Sequence, residues 1–173
     1  MPRIARLVVK EEEAVYHVMS RTALDGYVLG DIEKDFLLQH IRWLAKVYFA
    51  EILGFCIMGN HFHLLLRMGT GRGKSREEID KRFKIYYGEE VDRELPKELI
   101  LALRKKWASL SEFVKEIKQG FSRFYNRRHH RKGFFWSERF TRLNSLSFRG
   151  GTMLMCFTVK SSAIFTLVSI TSS

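Results

Sequence analysis

From His61 to Met68 the chain reads His-Phe-His-Leu-Leu-Leu-Arg-Met, with Phe62, Leu64 and Leu66 alternating against His61 and His63. A period of two fits a strand with one apolar face covered and one polar face open. Such a strand needs a sheet around it and a second layer over its apolar face. The preceding text supplies both. Glu51 to Met58 reads as a mostly buried strand, and Gly59-Asn60 as the tight turn into His61. Further back, Ala14 to Ser20 is rich in strand formers. Asp31 offers a helix cap with Glu33 in the first turn, and Phe36, Leu37, His40, Ile41, Leu44, Val47 and Tyr48 recur at helical spacing. The order is strand, helix, strand, strand.

Residues 69–108 change character: a Gly-rich break, Gly69 to Gly73, leads into charged helical text around Pro96. This segment reads as an insertion or helical excursion at the surface. Ser109, Ser111 and Glu112 signal a new helix, with Phe113, Ile117, Phe121 and Phe124 as its apolar stripe and Gly133 as its end. Phe134-Phe135-Trp136 then opens an expected fourth strand. The sum is an α+β fold, a ferredoxin-like antiparallel sheet with helices packed on one face. A domain over residues 1–140 is followed by an atypical tail, 141–173. From Arg139 to Ser173 there is no Asp or Glu, and Ser and Thr crowd the end.

The 173 residues fit one domain, and 46% hydrophobic with 13% aromatic residues excludes wholesale disorder. A net charge of +11 favours a polyanionic partner, nucleic acid or an anionic membrane surface. Two cysteines, Cys56 and Cys156, are too few for a disulfide framework or a cysteine-based zinc site and suit a reducing compartment. No segment reaches the ~18 apolar residues of a membrane span. The first ten residues lack the marks of a signal peptide, so the cytoplasm is the expected location.

On a strand, His61 and His63 point to the same side and form a bidentate metal site short of a third ligand. The alternative is a pair of polar residues on a solvent face. Imidazole pairs lean toward Mn²⁺ or Zn²⁺, while water and phosphate can complete a Mg²⁺ shell. The second feature is cationic. Arg123, Arg127, Arg128, Arg131 and Lys132 are interleaved with aromatics and with His129 and His130. Such a run suits phosphate contacts, and Phe134, Phe135 and Trp136 suit base stacking; the alternative is a solvated helix end. His129 and His130, adjacent on a helix, point too far apart to serve one ion. Gly69 to Ser75 imitates a phosphate-binding loop, but Met68 stands where its first Gly is required.

Four segments together resemble the REP-associated tyrosine transposases of the HUH single-strand transposase group. They are Tyr16 to Arg21, Met58 to Leu66, Phe121 to His129 and Trp136 to Phe140, in that family's order across residues 2–140. The resemblance implies a ferredoxin-like catalytic domain and a divalent ion, Mg²⁺ or Mn²⁺, held by His61 and His63. It also implies cleavage and rejoining of single-stranded DNA near hairpins through a covalent phosphotyrosine, often in a dimer. The tail departs from the family pattern. Thr152 to Val159 is the best counterpart of the nucleophile helix, and Val159 stands in the tyrosine's place. No tyrosine follows Tyr125, and no third metal ligand is evident. A frame-shifted or decayed C-terminus is the economical reading, testable by looking for family-like text in another reading frame. Tyr125 is a substitute nucleophile by composition, but its place before the fourth strand marks it as a packing or DNA-stacking residue. Three functions follow: a metal-dependent strand transferase, a DNA-binding remnant without the chemistry, and a basic RNA-binding protein or nuclease.

Overall fold

The computed structural model describes residues 13–89, 95–137, 141–144 and 164–167. Strands β1 (Ala14–Arg21), β2 (Ala50–Ile57), β3 (His61–Met68), β4 (Thr141–Asn144) and β5 (Ile164–Leu167) form one antiparallel sheet in the order β4-β1-β3-β2-β5. Helix α1 (Asp31–Val47) links β1 to β2, and β3 returns between them. That is the split strand-helix-strand arrangement of ferredoxin-like folds. Helices α2 (Arg76–Tyr87), α3 (Lys97–Trp107) and α4 (Leu110–Arg128) complete the second layer.

Alternation decides which face the helices cover. In β3 the even positions Phe62, Leu64, Leu66 and Met68 are buried, and the odd positions are only partly so. Tyr16 and Val18 of β1 share that buried face. Onto it pack Leu37, Ile41 and Leu44 from α1 and Phe113, Ile117 and Phe121 from α4. Fully burying a side chain of this size stabilises by about 1.5–3 kcal/mol, so the stripe outweighs the weak propensity of either helix.

The helix starts follow local chemistry. Ser109 caps α4 by accepting from the Glu112 amide at 3.3 Å. At α1 the cap is Gly30, without a side-chain bond, and Asp31 is the first helical residue rather than the cap. It still lies where a carboxylate favours the positive end of the helix. The far end of α1 is closed by Arg82 of α2. Its Nη1 donates to the carbonyls of Lys46, Val47 and Tyr48 at 3.0, 3.1 and 2.8 Å, groups a helix end leaves unpaired. Residues 69–108 thus hold α2 and α3, whose Ile79, Phe83, Leu103 and Trp107 join the core cluster.

The chain after α4 differs from the expectation. The helix ends at Arg128, short of Gly133. His129 closes it by donating to the Tyr125 carbonyl, and His130 adopts φ 49. Phe134 to Trp136 is not a strand. Trp136 makes a single bridge to Thr22, because its indole is held from the helix side: Nε1 donates to the Lys118 carbonyl at 3.0 Å. The strand that pairs with β1 comes later, at Thr141–Asn144. Residues 145–163, including Val159, lie outside the described residues.

Candidate functional site

The β1–β3 register sets Arg21 opposite His61, Met19 opposite His63 and His17 opposite Leu65. Paired residues share a face, so three histidines, His17, His61 and His63, stand together on the side away from the helices. His17 Nε2 and His63 Nδ1 share a 2.9 Å hydrogen bond, with the ring planes 14° from parallel and the centroids 5.1 Å apart. His61 Nδ1 meets Oδ1 of its neighbour Asn60 at 2.7 Å. The His61 and His63 rings stand edge to face at 5.2 Å.

Burial keeps all three imidazoles neutral. His63 is pushed down to about 4 by desolvation, with the charges that His17 and His61 would carry adding to the effect. His17 is lowered by burial alone, and His61 by burial and then by the Arg21 guanidinium. A neutral imidazole keeps one lone pair for a cation, and no proton need be displaced when an ion arrives.

Two neutral imidazoles on one face, His61 and His63, would supply two ligands to a divalent ion bound there. Among the described residues no group of three or more His, Cys, Asp or Glu side chains converges to complete such a site. The remaining positions suit water and phosphate oxygens, as hard divalent ions accept.

The cation-rich end of α4 reaches the same end of the sheet. The Thr22 amide donates to the Asn60 carbonyl at 2.9 Å and the Ala23 amide to the Phe135 carbonyl at 2.8 Å. Ser137 bonds the Arg21 carbonyl through both its amide and its hydroxyl, at 2.9 Å each. The segment leaving the basic stretch is thus tied to the residues beside His61. Arg123, Arg127 and Lys132 are exposed. Arg128 is also exposed but pairs with Glu33 at 3.2 Å, and Arg131 is half-buried with its guanidinium 6.0 Å from the Tyr125 ring centre.

The aromatics there divide sharply. Phe135 and Trp136 are buried, against the expectation that all three would stack on bases; Phe134 is 90% exposed. Tyr125 is 6% exposed, its ring stacked on His129 at 4.1 Å and packed on Phe135 at 4.3 Å. Tyr27, 86% exposed, lies over Gly59, where a Cβ would come within 2.6 Å of its ring.

His17, Asn60, Arg21, Glu33 and Tyr27 were not among the residues the sequence pointed to as functional. His17 was legible as an open-face residue between Tyr16 and Val18. Its meeting with His63 depends on the β1–β3 register, which no local pattern encodes.

No family profile and no curated protein matches the chain. Among solved structures, a REP-associated tyrosine transposase bound to a REP hairpin is similar over 86% of this chain, at 14% identity and a TM-score of 0.53. The chain spans 64% of that protein's length. A second structure, described provisionally as a transposase from Deinococcus radiodurans R1, matches over 84% of this chain and 87% of its own, at 19% identity and a TM-score of 0.45. What the first likeness establishes is architecture: this chain has the fold of a REP-associated tyrosine transposase.

Proposed function

We propose that the chain is a transposase-like protein of DNA transposition. In this reading it grips single-stranded or hairpin DNA, a REP hairpin being what its structural neighbour binds, and holds Mg²⁺ or Mn²⁺ on His61 and His63 for phosphodiester cleavage and strand transfer. The observation that carries it is the convergence of the histidine pair and the arginine-rich end of α4 on one end of the sheet, joined through Asn60, Thr22 and Phe135. Exposed Arg123, Arg127 and Lys132 supply the phosphate contacts, while Arg128 and Arg131 are held by Glu33 and Tyr125, and Arg21 pairs in register with His61 on the face where a scissile phosphate would sit. When bound, the ion polarises the phosphate and offsets the charge that builds on its oxygens.

The covalent step needs a hydroxyl. Its oxygen attacks phosphorus, the bond to the leaving 3′-oxygen breaks, and the hydroxyl proton passes to solvent or to that oxygen. The burial of Tyr125 favours a second reading, a DNA-binding remnant that makes no covalent link. Incubating the protein with labelled hairpin-bearing single-stranded DNA and Mn²⁺, then running denaturing and native gels, separates the two. A protease-sensitive labelled band supports the transferase, and peptide mapping then distinguishes exposed Tyr27 from buried Tyr125. A native shift alone supports the remnant. No shift, or equal competition by a matched RNA hairpin, sinks the DNA reading.

A further inference from the structure

The two histidines are each engaged at the same ring nitrogen. Nδ1 of His61 meets Asn60 Oδ1 at 2.7 Å, and Nδ1 of His63 meets His17 Nε2 at 2.9 Å. An amide oxygen carries no hydrogen, so in the first pair the imidazole must donate. Neutral His61 is thereby fixed with its proton on Nδ1 and its lone pair on Nε2. In the second pair the bond closes equally well with His63 donating from Nδ1 to the lone pair of His17 Nε2. That choice places the His63 lone pair on Nε2 as well. A metal-bound histidine commonly donates its other nitrogen to a fixed acceptor, which sets both tautomer and ring angle.

We infer that Asn60 and His17 are positioning residues that hold His61 and His63 in the Nδ1–H tautomer, presenting both Nε2 lone pairs to one divalent ion. Their own origins make them fit for it. Asn60 sits in the β2–β3 turn immediately before His61, its backbone carbonyl pinned by the Thr22 amide. His17 stands on β1 on the same sheet face, its ring plane 14° from that of His63. Neither is needed as a ligand; His17 spends its Nε2 on His63. This inference rests on the metal reading of His61 and His63 for its purpose, but the tautomers it assigns exist without any ion.

The test uses the full chain in two measurements. Long-range proton–nitrogen correlation spectra of the metal-free, ¹⁵N-labelled protein near pH 8 report which imidazole nitrogen is protonated. Both His61 and His63 are expected as Nδ1–H, although free histidine prefers Nε2–H. Asn60→Ala should return His61 to Nε2–H, and Asn60→Asp, which keeps an acceptor oxygen, should not. Titration with Mn²⁺ followed by electron paramagnetic resonance should show about 10- to 100-fold weaker binding in Asn60→Ala and in His17→Ala. Recovery is expected in His17→Gln, whose amide oxygen can accept. Nε2–H on His61 or His63 in the unmodified protein overturns the inference, as does full-strength Mn²⁺ binding by both alanine variants. Nδ1–H on both rings with no Mn²⁺ uptake leaves the tautomer assignment standing and overturns the metal reading instead.

Discussion

Glu33 in the first turn of α1 pairs with Arg128 in the last turn of α4, Oε1 to Nε at 3.2 Å. The same oxygen accepts from His129 Nε2 at 3.0 Å. Desolvation alone would raise the Glu33 carboxyl. The His129 bond and the Arg128 charge outweigh it and leave the group below the usual carboxylate range. One cation of the basic stretch is therefore committed to joining two helices, while Arg127 beside it is not so bound.

This separates the two arginines experimentally. Arg128→Ala leaves a 6% exposed carboxylate short of its arginine partner and is expected to cost about 1–2 kcal/mol of stability in urea unfolding. Arg127→Ala should leave stability unchanged and lower the slope of log affinity against log salt by about 1 for hairpin DNA. Equal effects of both variants on salt dependence, with no loss of stability in either, would contradict the division.

Phe134 is presented by a tight local turn. Gly133 has φ 97, a conformation side chains resist, and the Asn126 amide donates to its carbonyl at 2.9 Å. A 90% exposed phenyl next to the basic stretch contributes nothing to the core but offers a face to an unpaired base. Phe134→Ala should weaken single-stranded DNA binding by about 1–3 kcal/mol without changing the melting temperature. Fluorescence anisotropy with a labelled oligonucleotide measures this, and unaltered affinity would remove Phe134 from the binding surface.

Much of this frame was readable beforehand, and the reason is periodicity. The β3 boundaries and the α4 start at Ser109 come from patterns complete within a few residues: alternation at 61–68, and a hydroxyl three places before Glu112. His61 and His63 were visible for the same cause. The partners that matter most chemically were not. His17 reaches His63 across 46 residues, and Glu33 reaches His129 across 96, so only the folded register brings them together. Trp136 misled because aromatic text favours strands. Its indole instead settled against Phe62 and Phe121, where a buried N–H found a helix carbonyl.

Gly120 on α4 lies against the His40 ring of α1, and a Cβ there would collide with the imidazole. Alanine would ordinarily gain up to about 1 kcal/mol over glycine inside a helix. Here the overlap with a ring wedged between Phe36 and Trp43 reverses the sign. Gly120→Ala should destabilise by about 1–3 kcal/mol, and the double variant Gly120→Ala/His40→Ala should recover part of that loss. Stabilisation by the single variant would show the two helices are free to separate.

The same ring makes stability depend on pH. His40 is held below its ordinary value by burial, with the Arg123 charge adding; the Glu116 carbonyl, which accepts from Nε2 at 3.3 Å, and the Glu116 charge oppose this. The folded state therefore resists a proton that the unfolded chain takes up. Stability from a neutral His40 is complete above the unfolded value, about 6.5, and declines as pH falls below it. His17, His61 and His63 are lowered too, so the whole protein should lose stability in that window. His40→Gln retains an N–H for the Glu116 carbonyl but cannot take up a proton. The stability of the unmodified protein relative to this variant should consequently shrink between pH 8 and pH 5. Urea unfolding at both pH values measures the difference, and a constant gap would mean that the His40 ring takes up its proton as readily in the fold as outside it.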